Sequence, residues 1–243
     1  MSNAAKVRLF VPTALSGGAE VALPPDQAHY LRHVLRLGEG DTIALFNGRD
    51  GEFHATLTAL GKKEVRLLVG MQTRPFTATA DLWLCFAPIR QGRIEMVIEK
   101  ATELGVGRLL PVQTRRCQIA KVNGERLSAI AREAAEQSER LDVPPIENLV
   151  TLEKLLAEWP KERRLYVCAE RSEALPLLAA LQPRPKDEPC ALLVGPEGGF
   201  APEERESMLC HPAVVPVTLG PNILRAETAS IAALAILQAA RQN

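Results

Sequence analysis

The chain has 243 residues, 47% of them apolar, and its 29 Lys/Arg balance its 29 Asp/Glu. That composition can fill a core and excludes a disordered chain, and no apolar run approaches the ~20 residues of a membrane-spanning helix. Zero net charge neither requires nor excludes a nucleic-acid partner, but residues 1–140 carry 19 Lys/Arg against 15 Asp/Glu while residues 141–243 carry 10 against 14, an asymmetry that directs an anionic partner to the first part of the chain.

Residues 7–11, Val-Arg-Leu-Phe-Val, read as a strand stopped by Pro12. Asp26 is placed to cap a helix that carries Leu31, Val34 and Leu35 and ends at Gly38. Residues 41–46, 52–60 and 64–69 read as strands, separated by turns at Asn47-Gly48, Asp50-Gly51 and Gly61. Residues 1–73 therefore form a small, mostly β unit with one helix, and residues 74–80 a linker.

From residue 81 to 243 the rhythm changes. Strands at 81–88, 108–112, 164–169, 191–194 and 214–219 alternate with helical segments. Ile94, Val97, Ile98, Ala101 and Leu104 make one amphipathic stripe, stopped by Gly105. Leu127, Ile130, Ala131 and Ala134 make another within 125–140, and further helices are predicted at 152–159, 175–181, from Pro202 and from about Leu224. This alternation predicts an α/β fold with a mostly parallel sheet covered on both faces.

Five cysteines, Cys85, Cys117, Cys168, Cys190 and Cys210, show no C-x-x-C pair and no His at ligand spacing. They read as buried, reduced thiols without a metal. Residues 1–8 carry no secretory apolar region, so the expected location is cytoplasmic.

Ligands in such sheets bind at the loops leaving the C-terminal strand ends. Two loops stand out. Gly195-Pro196-Glu197-Gly198-Gly199 follows the apolar strand 191–194 and lets main chain approach a ligand closely. It is neither a Walker A motif nor G-x-G-x-x-G, so phosphate cradling is not its reading. The second loop, Leu219-Gly220-Pro221-Asn222-Ile223-Leu224-Arg225-Ala226-Glu227-Thr228-Ala229, runs from a strand straight into the last helix. Asn222 or Thr228 can cap that helix, and Glu227 suits its dipole. Arg225 opposes the same dipole, so an anionic ligand, an RNA phosphate or an acidic residue is expected beside it.

The two loops, in this order, resemble those of the SPOUT class of methyltransferases. More narrowly, the chain resembles the RsmE family, which methylates N3 of a uridine in small-subunit (16S) ribosomal RNA. Residues 8–11, Arg-Leu-Phe-Val, the pattern His29-Tyr30-Leu31-Arg32-His33-Val34-Leu35-Arg36 with Gly40-Asp41, and residues 99–106, Glu-Lys-Ala-Thr-Glu-Leu-Gly-Val, extend the likeness over essentially the whole chain.

The resemblance implies a PUA-like β-barrel for residues 1–73 and a SPOUT domain for 81–243 with a C-terminal trefoil knot. Strand and helix patterns alone do not imply a knot, since true knots are nearly absent from proteins. It also implies S-adenosylmethionine as methyl donor, without a metal. By match, the donor pocket holds Gly195, Glu197, Gly198, Leu219, Gly220, Ile223, Leu224, Arg225, Thr228 and Ala229, with the loop after Cys168-Ala169-Glu170 as a third wall. RNA contacts are expected from Arg8, Arg32 and Arg36 in the first unit and from Arg90, Arg93, Arg115, Arg116 and Lys121 in the second. Arg225 is the candidate to stabilise the uracil imide anion, and Glu227 the candidate base. The partner is ribosomal RNA or the assembled small subunit, and no membrane is expected. A homodimer is implied as well, in keeping with the apolar run at 229–240, which needs burial in a core or an interface. Two other readings stand beside this one: a SPOUT ribose 2′-O-methyltransferase, and a non-catalytic RNA-binding or ribosome-assembly protein.

Overall fold

The computed structural model describes residues 7–61, 64–169, 174–182, 185 and 188–242. It forms two compact units, Met1–Ala78 with Ala135–Val143, and Thr79–Ala134 with Pro144–Asn243.

In the first unit, β1 (Arg8–Phe10), β2 (Glu20–Leu23), α1 (Pro25–His29), β3 (Thr42–Phe46), β4 (Glu52–Leu60) and β5 (Val65–Arg74) build a five-stranded sheet in the order β1-β3-β4-β5-β2. Only β1 and β3 pair in parallel. The period of two shows in β5, where Val65, Leu67 and Val69 are buried and Arg66 and Leu68 exposed. The inward residues join Leu9, Val21, Leu31, Ile43, Leu45 and Leu57 in one core. Strand β2 was not foreseen, because four residues give too little alternation to stand out. Asp26 does not cap α1: Pro24 holds the cap position and Asp26 lies in the first turn. The helix then continues as a π-helical turn, Tyr30–Val34.

Residues 135–143 are held to β1 by Arg8. Its Nε donates to Glu52 Oε2 at 2.7 Å, and its other nitrogens donate to the carbonyls of Ala135, Glu136 and Arg140 at 3.2, 3.0 and 2.7 Å. The guanidinium also lies 4.7 Å from the Phe46 ring centre. Burial pushes the Glu52 carboxyl up, but hydrogen bonds from Arg8 and Thr73 and the charges of Arg8 and Arg74 outweigh it and hold the group below its ordinary range. A carboxyl depressed on folding contributes stability that is present above the unfolded value of about 4.3 and is lost as pH falls through the folded value. Urea midpoints of the parent should therefore fall below pH ~4. Glu52→Gln should be less stable at pH 7 and show a shallower acid slope. An unchanged acid slope would remove Glu52 from this role.

In the second unit, β6 (Leu82–Phe86), α2 (Gln91–Glu103), β7 (Arg108–Gln113), α3 (Gly124–Gln137), β8 (Val150–Thr151), α4 (Leu152–Ala157), β9 (Arg164–Cys168), β10 (Leu175–Pro176), α5 (Leu177–Leu181), β11 (Cys190–Val194), α6 (Pro202–Leu209), β12 (Val214–Thr218) and α7 (Ala226–Gln242) follow in order. Helix α3 starts here, and its last residues belong to the first unit. Every strand pair in this unit is parallel, in the order β10-β12-β9-β11-β6-β7-β8. The α/β class with a parallel sheet is thus the observed architecture. Strand β11, buried at all five positions, lies between β9 and β6.

Alternate residues divide the sheet into two faces. Cys85, Val167, Ala191 and Leu193 pack with Leu152, Leu155 and Leu156 of α4 and Met208 of α6. On the other face Tyr166 and Cys190 share a small cavity with Leu237 of α7. Helix α7 buries Ala229, Ser230, Ala233, Leu234 and Leu237 but leaves Ala235 exposed. Its apolar run is therefore covered on one side within the chain. Among the described residues, no helix is long and apolar enough to cross a membrane.

Candidate active site

Because the strands are parallel, the C-terminal ends of β6, β7, β11 and β12 lie along one edge of the sheet. The glycine-rich loop leaves the middle of that edge. Ala87 N–H donates to Val194 O at 3.0 Å, extending the ladder to the start of the loop. Gly199 N–H then donates to Pro196 O at 2.8 Å, with Gly199 at φ +66, where an L side chain is strained. A Cβ on Gly195 would stand 2.9 Å from Cε2 of Phe200, whose ring is 5% exposed in the core. Gly195 is thus required by the seat of Phe200.

The loop is braced by the turn after β7. Arg116 Nη1 donates to Gly198 O at 3.0 Å. Glu204, buried in the first turn of α6, accepts from Ala201 N and from Arg115 N, both at 2.8 Å. Phe200 and Glu204 are supports that the sequence reading missed. Glu204 had a readable signal, since a Glu three residues past the helix cap reaches back to the cap N–H. Nothing linear pointed to its second bond.

The second loop follows β12. Gly220, at φ +127, donates its N–H to Thr218 Oγ1 at 3.2 Å and has open space where a Cβ would stand. Pro221, Asn222 and Ile223 are exposed, Ile223 by 56%, and Leu219 and Leu224 are half-buried. Helix α7 starts later than expected, at Ala226, with Arg225 O accepting Ala229 N–H at 2.8 Å. Neither Asn222 nor Thr228 caps it: Asn222 lies outside the helix and Thr228 within its first turn. Among the described residues, Ile223 and Leu224 take no main-chain hydrogen bond, and the Arg225 guanidinium has no partner. The first-turn N–H groups of α7 also open toward this end. Thr228 is exposed and Ala229 buried.

Arg93 joins the two loops. Its Nη1 lies 3.4 Å from Glu197 Oε1, and its Nε lies 3.5 Å from Glu227 Oε1. Glu227 is 9% exposed, and its other oxygen, Oε2, is buried without a hydrogen-bond partner. A buried carboxylate oxygen left unpaired is costly, and such a group calls for a ligand or a reaction role.

The other arginines are placed as follows. Arg8 is engaged within the first unit by the bonds given above, its side chain 11% exposed. Arg32 donates to Gly61 O at 3.0 Å, and Arg36 is exposed at φ +55. Arg90 is the exposed cap residue of α2. Arg115 is exposed, 3.6 Å from Glu203 and 3.9 Å from Glu153, and Arg116 and Lys121 are exposed nearby in the chain. Arg93 is half-buried and engaged by the two carboxylates. The third wall expected from Glu170 onward lies outside the described residues.

The five cysteines are free, and the expectation of uniform burial is corrected: Cys210 is exposed and Cys117 and Cys168 are intermediate. Burial pushes the Cys168 thiol up to about 12 and raises those of Cys117 and Cys190, so these sulfurs stay protonated. Among the described residues, no group of three or more His, Cys, Asp or Glu is placed to hold a metal ion.

Known proteins resemble this chain in sequence and in fold. An RNA methyltransferase domain family matches residues 77–238, and an RNA methyltransferase PUA domain family matches residues 23–69. The ribosomal RNA small subunit methyltransferase E of Rickettsia conorii is 36% identical over 234 residues, covering 94% of this chain and 93% of that one. Its namesake from Bacillus subtilis is 30% identical over 223 residues, covering 87% of each. The crystal structure of the Neisseria gonorrhoeae enzyme of the same name, bound to S-adenosyl methionine, superposes with a TM-score of 0.86 at 31% identity, covering 96% of this chain and 97% of that one.

Proposed function

The chain belongs to the RNA methyltransferase domain family, in the branch of the ribosomal RNA small subunit methyltransferases E, and from that membership we propose that it transfers a methyl group from S-adenosylmethionine to N3 of a uridine in small-subunit (16S) ribosomal RNA. The observation that carries the reading is the pair of loops at one sheet edge, joined through Arg93 to Glu197 and Glu227, with Arg225 exposed on the second of them. The same edge fits the donor. Ile223 and Leu224 offer apolar contact and free main-chain groups, Gly220 leaves room for close approach, and the backbone of Gly195–Gly198 is fixed from behind by Phe200 and Arg116. Glu197, Leu219, Thr228 and Ala229 complete the pocket.

The donor supplies an electrophilic methyl carbon, whose bond to sulfur breaks with the electron pair remaining on sulfur. The chain must orient the uracil edge, since positioning carries much of the acceleration in a direct displacement. The N3 proton passes to the Glu227 carboxylate while the N3 lone pair forms the new bond. Arg225 faces the uracil carbonyls and stabilises the charge that develops on the imide. The target base must be unpaired and turned out for its N3 to be reached. Phosphate contacts come from Arg32 and Arg36 in the first unit and from Arg90, Arg115, Arg116 and Lys121 in the second. The chain works in the cytoplasm, carries the trefoil threading of its class, and acts as a homodimer. Exposed Leu175 (62%) and Leu178 (48%) at the β10 edge support a second copy there.

The test is incubation of the purified protein with S-adenosylmethionine and small ribosomal subunits that lack the modification, followed by nucleoside mass spectrometry. N3-methyluridine is the expected product. A 2′-O-methylated nucleoside would replace the reading with ribose methylation, and no donor binding by folded protein would leave an RNA-binding protein.

A further inference from the structure

Arg93 was expected at the RNA, yet it lies between the two loops that carry the chemistry. One guanidinium faces Glu197 at 3.4 Å and Glu227 at 3.5 Å. Glu197 belongs to the glycine-rich loop and Glu227 to the first turn of α7, thirty residues apart in the chain. The contacts use Oε1 of each carboxylate and leave Glu227 Oε2 buried and without a partner.

Arg93 itself is well anchored. It sits in the first turn of α2, whose Ile94, Val97, Ile98 and Ala101 are buried. Its own N–H donates to Arg90 O at 2.9 Å. Helix α2 packs on α7, where Gln238 donates to Leu104 O. The cation is thus carried by a rigid element and reaches both loops. A planar guanidinium can serve two acceptors in different directions, which an ammonium does less well.

We propose that Arg93 is a positioning residue: it locks Glu197 to Glu227 and fixes the Glu227 carboxylate between the two loops. This rests on the methyltransferase reading given above. Arg93 touches neither donor nor base in this role, so its loss should affect turnover more than donor affinity. The N3 proton still goes to Glu227, and Arg93 exchanges no proton.

The experiment compares the parent with Arg93→Gln, Arg93→Lys, Glu227→Gln and the Arg93→Gln/Glu227→Gln double variant. S-adenosylmethionine binding is measured by calorimetry, folding by thermal unfolding, and single-turnover methylation on unmodified small subunits. Arg93→Gln should bind the donor within about threefold of the parent and methylate about thirtyfold more slowly. Arg93→Lys should recover only part of that loss, since the charge is kept but one ammonium reaches the two carboxylates less well than a planar guanidinium. The double variant should be no slower than Glu227→Gln alone, because the cation acts through that carboxylate. Glu197→Gln, an exposed change that leaves the fold intact, should slow turnover about threefold in the same direction. Full-rate turnover by Arg93→Gln, or losses that multiply in the double variant, would overturn the proposal while leaving the methyltransferase reading in place. If the parent itself neither binds donor nor methylates RNA, it is the underlying reading that fails.

Discussion

Arg225→Gln should leave donor affinity within a few-fold of the parent and slow methyl transfer by about a thousandfold. Three observations lead to this size. The residue stands at the cap position of the 17-residue helix α7, where the dipole disfavours a cation. Its guanidinium is exposed and, among the described residues, unpartnered. The one carboxylate in the first turn, Glu227, is engaged by Arg93 instead. A cation held in an unfavourable field with no protein partner is matched to charge that arrives with the substrate. In the proposed reaction that charge develops on the uracil imide and its two carbonyl oxygens. Arg225→Lys should restore only part of the rate, because a single ammonium does not reproduce a planar fork. Single-turnover rates with saturating donor decide the matter: Arg225→Gln within threefold of the parent would exclude Arg225 from the reaction.

Gly195→Val should weaken S-adenosylmethionine binding by at least about a hundredfold and lower stability by about 2 kcal/mol. Even a single β-carbon at this position would lie 2.9 to 3.3 Å from three atoms of the Phe200 ring. That ring packs with Leu193, Val167 and Met208 and has little freedom to move. The added side chain must therefore displace either the core or the loop. The loop is the softer of the two, since Glu197 and Gly198 are exposed. Movement there also breaks the bond from Arg116 to Gly198 O. A second substitution provides the control: Gly195→Ala with Phe200→Leu should bind better than Gly195→Ala alone, because the smaller side chain frees the clashing volume. Calorimetry on all four proteins tests the account, and unchanged affinity in Gly195→Val would show that the loop does not form the pocket.

The linear pattern carried the α/β alternation, the two glycine-bearing loops and the identity of the residues they hold. These are local properties. Strand periods of two and helix stripes of three and four are written in neighbouring residues. Gly199 and Gly220 mark backbone that other residues adopt only under strain, and both have positive φ. What was missed locally was short or overridden. Strands β2, β8 and β10 have four residues or fewer, too few for a pattern. The start of α7 was shifted by two residues, because Asn222 and Thr228 are good caps that the loop geometry does not use.

The roles of the charged residues were a different matter. Arg8, Arg93 and Arg116 look alike in sequence, and each was assigned to RNA. The structure places Arg8 against Glu52 and three carbonyls from residues 135–140, Arg93 between Glu197 and Glu227, and Arg116 on Gly198 O. These partners lie 44 to 132 residues away along the chain for Arg8, and 104 and 134 for Arg93. By itself, then, the sequence determined which elements form and which loops are built for close approach, because those depend on backbone preference and local burial. Only the tertiary structure decided which cations hold the site together and which remain open to a ligand, because a charge takes its function from whatever the fold brings within a few ångströms of it.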